Sequence, residues 1–197
     1  MHHIYVVMGK SASGKDTIYK ELARDKDLKL RQVVTYTTRP IREGEKDGVE
    51  YHFVSKEQLD DLMKQGKVIE HRTYDTVYGE WHYFTVEDSQ IDLENHDYVL
   101  IGTLESYRQI LSYYSKEIVR PIYIEVENGE RLERALQRER KQPVPKYEEM
   151  CRRFLADEKD FSEENILEVG ISKRFENCEL NKCIEMIKEW IQSKNIM

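Results

Sequence analysis

A loop near the start of the chain has the residue types of a phosphate-binding turn. Residues 9–15 read Gly-Lys-Ser-Ala-Ser-Gly-Lys, the first seven positions of the pattern G-x-x-x-x-G-K-[ST]. Glycines let such a loop curl so that successive N–H groups point at one phosphate, and a helix that follows adds its positive end. An ordinary strand–helix turn is the alternative, but the apolar run before the loop and the helical pattern after it favour a phosphate site. The residues expected to contact ATP are Gly9, Lys10, Ser11, Ala12, Ser13, Gly14, Lys15, Asp16 and Thr17.

The eighth position of the loop departs from this pattern. Asp16 stands where Ser or Thr normally offers a hydroxyl to Mg²⁺, and Thr17 comes one place later. A carboxylate is a good hard ligand for Mg²⁺, but without the metal it would repel phosphate. We therefore predict Mg²⁺ as the cofactor with Asp16 as its ligand; the alternative is that Asp16 weakens the site.

A second segment, residues 35–55, reads TYTTRPIREGEKDGVEYHFVS. Here the sequence resembles the guanylate kinase family, which carries S-x-T-T-R-x-x-R-x-G-E-x-x-G-x-x-Y-x-F-V after its phosphate loop. Weaker similarity continues to the C-terminus. The resemblance implies ATP-dependent phosphoryl transfer to a nucleoside monophosphate, with GMP and ATP giving GDP and ADP.

The resemblance also implies roles for individual residues of the acceptor site. Arg39 and Arg42 look like the pair that grips the acceptor phosphate, and Tyr51 and Tyr78 look like the hydroxyls that complete this grip. Planar guanidinium groups suit bidentate contacts to phosphate. Taken singly, such residues are more often surface charges and strand packing, but the ordered set favours a binding role.

Two further positions concern the acceptor base. Glu70 looks like the carboxylate that receives the guanine N1–H and N2–H, which fits because a carboxylate only accepts hydrogen bonds. Thr35 replaces the family's base-contacting Ser and keeps the hydroxyl.

The arginines of residues 128–162 align with the family's lid. Arg138 and Arg153 are expected to reach the transferring phosphate, and with Lys15 and Arg39 they form the predicted catalytic set. Arg131 and Arg134 share a helix face with Arg138 and can equally be solvated partners of nearby glutamates. Asn177 matches a family Asn near the adenine; a helix-capping role is equally open.

The pattern breaks at two places. The family ends its next core strand with D-x-D, whereas residues 100–104 read Leu-Ile-Gly-Thr-Leu. The family has Y-G-[ST] where Tyr78-Gly79-Glu80 stands, and an ionised Glu80 cannot donate to guanine O6. We hypothesise that Asp16 replaces the missing acid as metal ligand and that Glu80, in the acceptor site, changes base selection.

The elements that position these residues alternate between strands and helices, which favours a mostly parallel sheet. We predict helices over residues 15–26, about 55–66, about 104–114, 128–141, 146–162 and 178–193, and strands over 4–8, within 32–54 and 67–86, and over 98–101, 118–126 and 166–169. The fold class is therefore α/β, a P-loop NTPase-type sheet flanked by helices with an inserted acceptor lobe and a lid. The expected division is core with phosphate loop 1–32, nucleoside monophosphate lobe 33–85, core 86–127, lid 128–162 and core 163–197.

The overall composition limits which other classes of protein are possible. The chain has 197 residues, a net charge of −7 and three cysteines without metal-like spacing. The negative charge argues against a nucleic-acid surface, and no apolar run is long enough for a membrane span. The first residues predict a strand and not a signal peptide. We expect a cytoplasmic monomer or homodimer.

Two alternatives to GMP phosphorylation stay open. One is a kinase of the same fold acting on another nucleoside monophosphate or a phosphorylated sugar. The other is a guanylate-kinase-like binding module without turnover, against which Gly14 and Lys15 of the intact loop argue.

Overall fold

The computed structural model describes residues 2–76 and 79–194. Its main sheet has five parallel strands in the order β2-β7-β1-β8-β9. The strands are β1 Ile4–Met8, β2 Arg31–Gln32, β7 Tyr98–Ile101, β8 Val119–Glu125 and β9 Arg174–Glu176. The helices are α1 Lys15–Arg24, α2 Lys56–Lys64, α3 Leu104–Tyr114, α4 Asn128–Arg140, α5 Tyr147–Asp160, α6 Glu163–Glu168 and α7 Leu180–Lys194. The predicted α/β class with a parallel, helix-flanked sheet is confirmed.

Strand β1 lies at the centre of this sheet and is buried on both faces. Its side chains alternate between faces, as in any strand. Tyr5 and Val7 join a cluster with α1 and α7, whereas Ile4, Val6 and Met8 join one with α3 and α6. The two apolar clusters hold the strand from both faces, so the start of the loop at its carboxyl end has a fixed position.

A second sheet of four strands, in the order β4-β3-β6-β5, is inserted after β2. Its strands are β3 Tyr36–Thr37, β4 His52–Phe53, β5 Val68–Thr76 and β6 Gly79–Val86. Helix α2 covers it through a small core of Leu59, Phe84 and Val86. A capping box begins α2: Ser55 accepts from the N–H of Gln58, whose side chain accepts from the N–H of Ser55.

The Gln109 side chain joins α3 to the second sheet. The Gln109 amide of α3 donates to the carbonyl of His71 at 3.0 Å and accepts from the N–H of His71 at 2.9 Å. His71 lies on β5, the edge strand of the second sheet. Gln109 thus satisfies both main-chain groups of one edge residue.

The predicted last strand at residues 166–169 is wrong. Residues Glu163–Glu168 form α6, whose first turn is capped by Ser162, and the last strand is β9. Ile166 is buried while Leu167 is exposed. A short apolar run fits a helix or a strand equally well, and the cap decides the outcome.

Two observations concern the other predicted elements. Pro121 is accommodated within β8, because the pairing with β9 begins only at Tyr123. In the part of the chain that the structure describes, no helix is both long and apolar enough to cross a membrane.

Candidate active site

The phosphate loop leaves the carboxyl end of β1 and enters α1 through Gly14. Gly14 has φ +86°, a left-handed conformation, and a Cβ there would lie 2.4 Å from Nδ2 of Asn177. A Cβ at Gly9 would lie 2.5 Å from the carbonyl oxygen of Ile124. Both glycines are therefore required by close approach of other parts of the chain.

Asn177 holds this loop in place through a hydrogen bond to its backbone. Its side-chain amide donates to the carbonyl of Ser13 at 2.8 Å, and its N–H donates to the carbonyl of Glu125 at the same distance. The side chain is buried. The side chain of Asn177 therefore holds the backbone of the phosphate loop.

The start of the loop is tied to α5 by two carboxylates. The N–H of Ser11 donates to Oδ2 of Asp157 at 2.7 Å, and Nζ of Lys10 donates to Oε1 of Glu158 at 2.9 Å. Burial alone would raise the pKa of Glu158, but hydrogen bonds from Lys10 and Asn128 outweigh it and hold the pKa below its usual value. Helix α5 and the phosphate loop therefore form one charged cluster.

Arg131 is the centre of this cluster. Its side chain is 1% exposed and its guanidinium packs 4.3 Å from the ring centroid of Phe154. It donates to the carbonyl of Ser11 at 3.1 Å and pairs with Asp157 and Glu158. The expectation of a solvated helix position is wrong here, because the partners lie on the loop and on α5.

Arg134 is also more than a solvated residue. It pairs with Glu130 one turn earlier, but it also donates to the carbonyl of Asn177 at 2.9 Å. Helix α4 is thereby attached to the segment that holds the phosphate loop.

Lys15 and Asp16 lie together at the start of α1. Nζ of Lys15 is 3.8 Å from Oδ2 of Asp16, whose side chain is 74% exposed. Among residues 2–76 and 79–194, no group of three or more His, Cys, Asp and Glu side chains is placed to hold a metal. Mg²⁺ is commonly held by one or two carboxylates together with substrate phosphates. An exposed carboxylate next to the phosphate loop fits that mode.

A cavity of about 560 Å³ separates α1 from the second sheet. Asp16 lies on one wall, and Thr35 and Tyr51 lie on the other. Ile101 and Gly102, at the end of β7, also line it, and neither carries a carboxylate. The structure thus brings three predicted site residues to one space.

Arg39 is buried against its own loop. Its guanidinium donates both arms of its fork to Glu45 at 2.9 Å and lies 5.5 Å from the ring centroids of Tyr51 and Phe53. The hydrogen bonds from Arg39 hold the pKa of Glu45 below its ordinary value. Arg42 is exposed, and its backbone N–H donates to the same carboxylate. Neither guanidinium lines the cavity.

The predicted base-contacting residues separate in the structure. Glu70 is buried, accepts from Arg72 and Thr85, and does not line the cavity. Glu80 is 53% exposed and lies 3.5 Å from Nζ of Lys56, so the structure does not bring it to the cavity. Tyr78 lies outside the described residues.

The predicted lid arginines meet beside the phosphate loop. Arg138 and Arg153 line a cleft of about 100 Å³ that also includes Ser11. Arg153 shares Glu149 with Arg152, and these hydrogen bonds, chiefly that of Arg152, lower the pKa of Glu149 to about 2.

A further cavity of about 580 Å³ lies at the carboxyl end of β8. Lys10, Asn128 and Arg131 face it, as do Glu176 and Cys178 on either side of Asn177. It is therefore continuous with the start of the phosphate loop.

A parallel sheet with a phosphate loop after its central strand, and a second sheet facing that loop, defines a P-loop α/β protein. The family model described as Guanylate kinase matches residues 1–194, and the chain belongs to that family. The chain is 43% identical over 77 residues to a guanylate kinase of Clostridioides difficile, covering 39% of this chain and 37% of that protein. It is 44% identical over 75 residues to one of Schizosaccharomyces pombe, covering 38% of this chain and 37% of that protein. Each alignment therefore spans little more than a third of the curated relative's length.

The fold agrees with a solved structure. The crystal structure of guanylate kinase from Anaplasma phagocytophilum superposes with a TM-score of 0.66 at 20% identity, over 100% of this chain and 87% of that one. At this identity the likeness establishes the fold alone.

Proposed function

We propose that the protein transfers the terminal phosphate of ATP to the phosphate of a nucleoside monophosphate, and that GMP is the acceptor. The cavity between α1 and the second sheet carries this proposal. Asp16, at the end of the phosphate loop, lies on one of its walls, and Thr35 and Tyr51 of the acceptor segment lie on the other. The names of the curated relatives support GMP as the acceptor.

The reaction needs little covalent work from the protein. An oxygen of the acceptor phosphate attacks the γ-phosphorus of ATP in line, the bond to the β–γ bridging oxygen breaks, and ADP leaves. Lys15 and the N–H groups of the loop stabilise the transferring charge. Arg138 and Arg153 approach it from the lid side, since both line the cleft at Ser11.

Mg²⁺ would be held at Asp16 together with the phosphates of ATP, where it neutralises charge on them. The exposed carboxylate of Asp16 beside Lys15 supports this assignment. The cavity beside Asn177, lined by Glu176 and Cys178, offers the space for the adenosine part of ATP.

The acceptor phosphate is assigned to Arg39, Arg42, Tyr51 and Tyr78. Because Glu45 occupies the fork of Arg39, the phosphate would displace this carboxylate when it binds. Such an exchange of one anion for another keeps the guanidinium paired throughout.

The three-part organisation belongs to the same proposal. Residues 33–85 act as the monophosphate lobe and residues 128–162 as the lid, while residues 1–32, 86–127 and 163–197 form the core. Closure of lobe and lid would exclude water and limit hydrolysis of ATP. We place the enzyme in the cytoplasm, as a monomer or homodimer; its three cysteines are free thiols.

The decisive experiment measures ADP release in a coupled assay with Mg-ATP, with and without GMP. We expect GMP to raise the rate by orders of magnitude, and Lys15→Met to abolish this increase. Equal ADP release with and without GMP would overturn the proposal. A panel of other nucleoside monophosphates and phosphorylated sugars, run in the same assay, separates GMP from other acceptors.

A further inference from the structure

Two charged residues of β5 differ in their surroundings: one is buried in the protein interior and the other lines the acceptor cavity. Glu70 and Arg72 are two positions apart on one strand, so their side chains share a face. Glu70 is 0% exposed and stands behind the cavity wall, whereas Arg72 lines the cavity. The cationic member of the pair therefore faces an acceptor bound there.

The carboxylate of Glu70 has little capacity left for a base. Its Oε1 accepts from Thr85 Oγ1 at 2.9 Å and from Arg72 Nη2 at 3.3 Å, and its Oε2 accepts from Arg72 Nε at 2.9 Å. A carboxylate has about four acceptor positions, so these three bonds leave roughly one. The paired N1–H and N2–H donors of guanine require two.

Arg72, in contrast, keeps unused donors. A guanidinium carries five N–H groups, of which Glu70 takes two. Tyr74 also hydrogen-bonds with it, and Tyr51 and His71 lie near enough to interact with its charge. The other cations of the cavity wall, Lys20 and Arg24, are exposed on α1, whereas the side chain of Arg72 is 11% exposed and fixed by Glu70.

We propose that Arg72 reads the acceptor base by donating to a carbonyl oxygen, and that Glu70 is the positioning residue that holds Arg72 in place. The donor that recognises the base is thus preorganised by a buried ion pair before the acceptor arrives. Thr35 lines the same cavity and would add a second contact.

This assignment names the acceptor class and rests on the proposed function. A 6-oxopurine nucleotide presents a carbonyl oxygen at the position that a 6-aminopurine fills with a donor. GMP and IMP both satisfy Arg72, whereas AMP meets it with a donor and 2-aminopurine riboside 5′-monophosphate offers no oxygen. The 2-amino group, which only a free carboxylate would read, becomes nearly irrelevant.

The first test compares kcat/KM for these four acceptors with the wild-type protein. We expect IMP to fall within about threefold of GMP. AMP and the 2-aminopurine nucleotide should be lower by about 10- to 100-fold, the effect of one hydrogen bond to a charged donor. A loss of 100-fold with IMP, together with an unimpaired 2-aminopurine nucleotide, would mean that Glu70 reads the base and would overturn the inference.

The second test uses Arg72→Met, with Arg72→Lys and the double variant Arg72→Met/Glu70→Gln. Loss of Arg72 should bring the ratio of GMP to the 2-aminopurine nucleotide close to one, and Lys should restore part of it. The double variant avoids an unpaired buried carboxylate, so it serves if the single variant does not fold. Arg108→Met, which removes an exposed arginine paired with Glu168, should keep the wild-type ratio. An unchanged ratio in folded Arg72 variants would contradict the role of Arg72.

Calorimetric binding of GMP and the 2-aminopurine nucleotide without ATP separates this inference from the proposed function. Preferential binding of GMP that depends on Arg72, without turnover, would overturn the kinase proposal alone. Turnover of GMP without any effect of Arg72 on the preference would overturn the inference alone.

Discussion

Oδ2 of Asp157 accepts a hydrogen bond from the backbone N–H of Ser11 at 2.7 Å. The two residues are 146 positions apart in sequence, yet they join α5 to the phosphate loop. Arg131 also binds this carboxylate and donates to the carbonyl of Ser11. The conformation of the loop therefore depends on the position of α5.

Replacing Arg131 by Met should destabilise the fold. The change leaves Asp157 and Glu158 without their shared buried partner, and since both carboxylates are partly exposed we expect a loss of about 2–3 kcal/mol. Urea unfolding measures this loss. Arg108→Met, the matched control at an exposed pair, should cost below about 1 kcal/mol. Equal losses of unfolding free energy in the two variants would show that Arg131 stabilises the fold no more than an exposed ion pair does.

Replacing Arg153 by Met should reduce kcat by about 100-fold or more, because this guanidinium lines the cleft at the phosphate loop. Arg152 is the control, since it pairs with the same Glu149 but does not line the cleft. Steady-state kinetics should leave Arg152→Met within about threefold of wild type. Similar losses of kcat in both variants would mean that the effect arises from the loss of a partner for Glu149 in α5, and not from the position of Arg153 at the cleft.

Asp16→Ser should raise the Mg²⁺ concentration needed for half-maximal turnover by about tenfold, since one hard ligand is lost. A Mg²⁺ titration at fixed ATP measures it. Glu21→Ser removes an exposed acid of the same helix outside the cavity and should leave the titration unchanged. If Asp16→Ser keeps both the Mg²⁺ requirement and the rate, the metal assignment is refuted.

Gly14→Ala should raise the KM for ATP more than tenfold and lower the free energy of unfolding by about 2 kcal/mol or more. The added Cβ combines a left-handed φ with a clash at Asn177. Gly170→Ala isolates the conformational part, because its φ is +75° and nothing lies within 4 Å of the added atom. That control should cost about 1 kcal/mol without changing the KM. Equal changes of KM and unfolding free energy in the two variants would show that the clash with Asn177 has no effect.

The stability of the protein should rise between pH 5.5 and 7.5, partly through His71. Burial, with a smaller effect of His82, lowers the pKa of His71 below its ordinary 6.5. As the pH falls through 6.5 the unfolded chain takes up a proton that the folded chain resists, so the stabilisation present above 6.5 is lost. His71→Gln should flatten the pH dependence of urea unfolding; His3, whose pKa is also lowered by burial, keeps a residual slope. An unaltered slope would contradict this account.

Local patterns predict the central strand β1 and the helix that begins after Ser55, because each depends on residues within a few positions. Over residues 163–168 the few apolar positions fit both a helix and a strand, and the cap at Ser162 decides for a helix.

Side-chain contacts that depend on the tertiary fold or on strand register cannot be predicted from local sequence patterns. The helical pattern alone leaves Arg131 at the surface, because its partners, Ser11 and Asp157, come from other elements. Glu70 was assigned to the base by resemblance, but its bonds to Arg72 and Thr85 depend on the register of the β5–β6 hairpin. The pairing of Arg39 with Glu45 likewise depends on the path of their loop.

The contact between Gln109 and His71 bears on association between molecules. An edge strand with free main-chain groups invites a strand from another copy, and sheets can then grow from chain to chain. Strand β5 is such an edge, but Gln109 already occupies both groups of His71 near its middle. An incoming strand would meet α3 there, so the same amide that joins α3 to the second sheet also disfavours growth of that sheet from chain to chain.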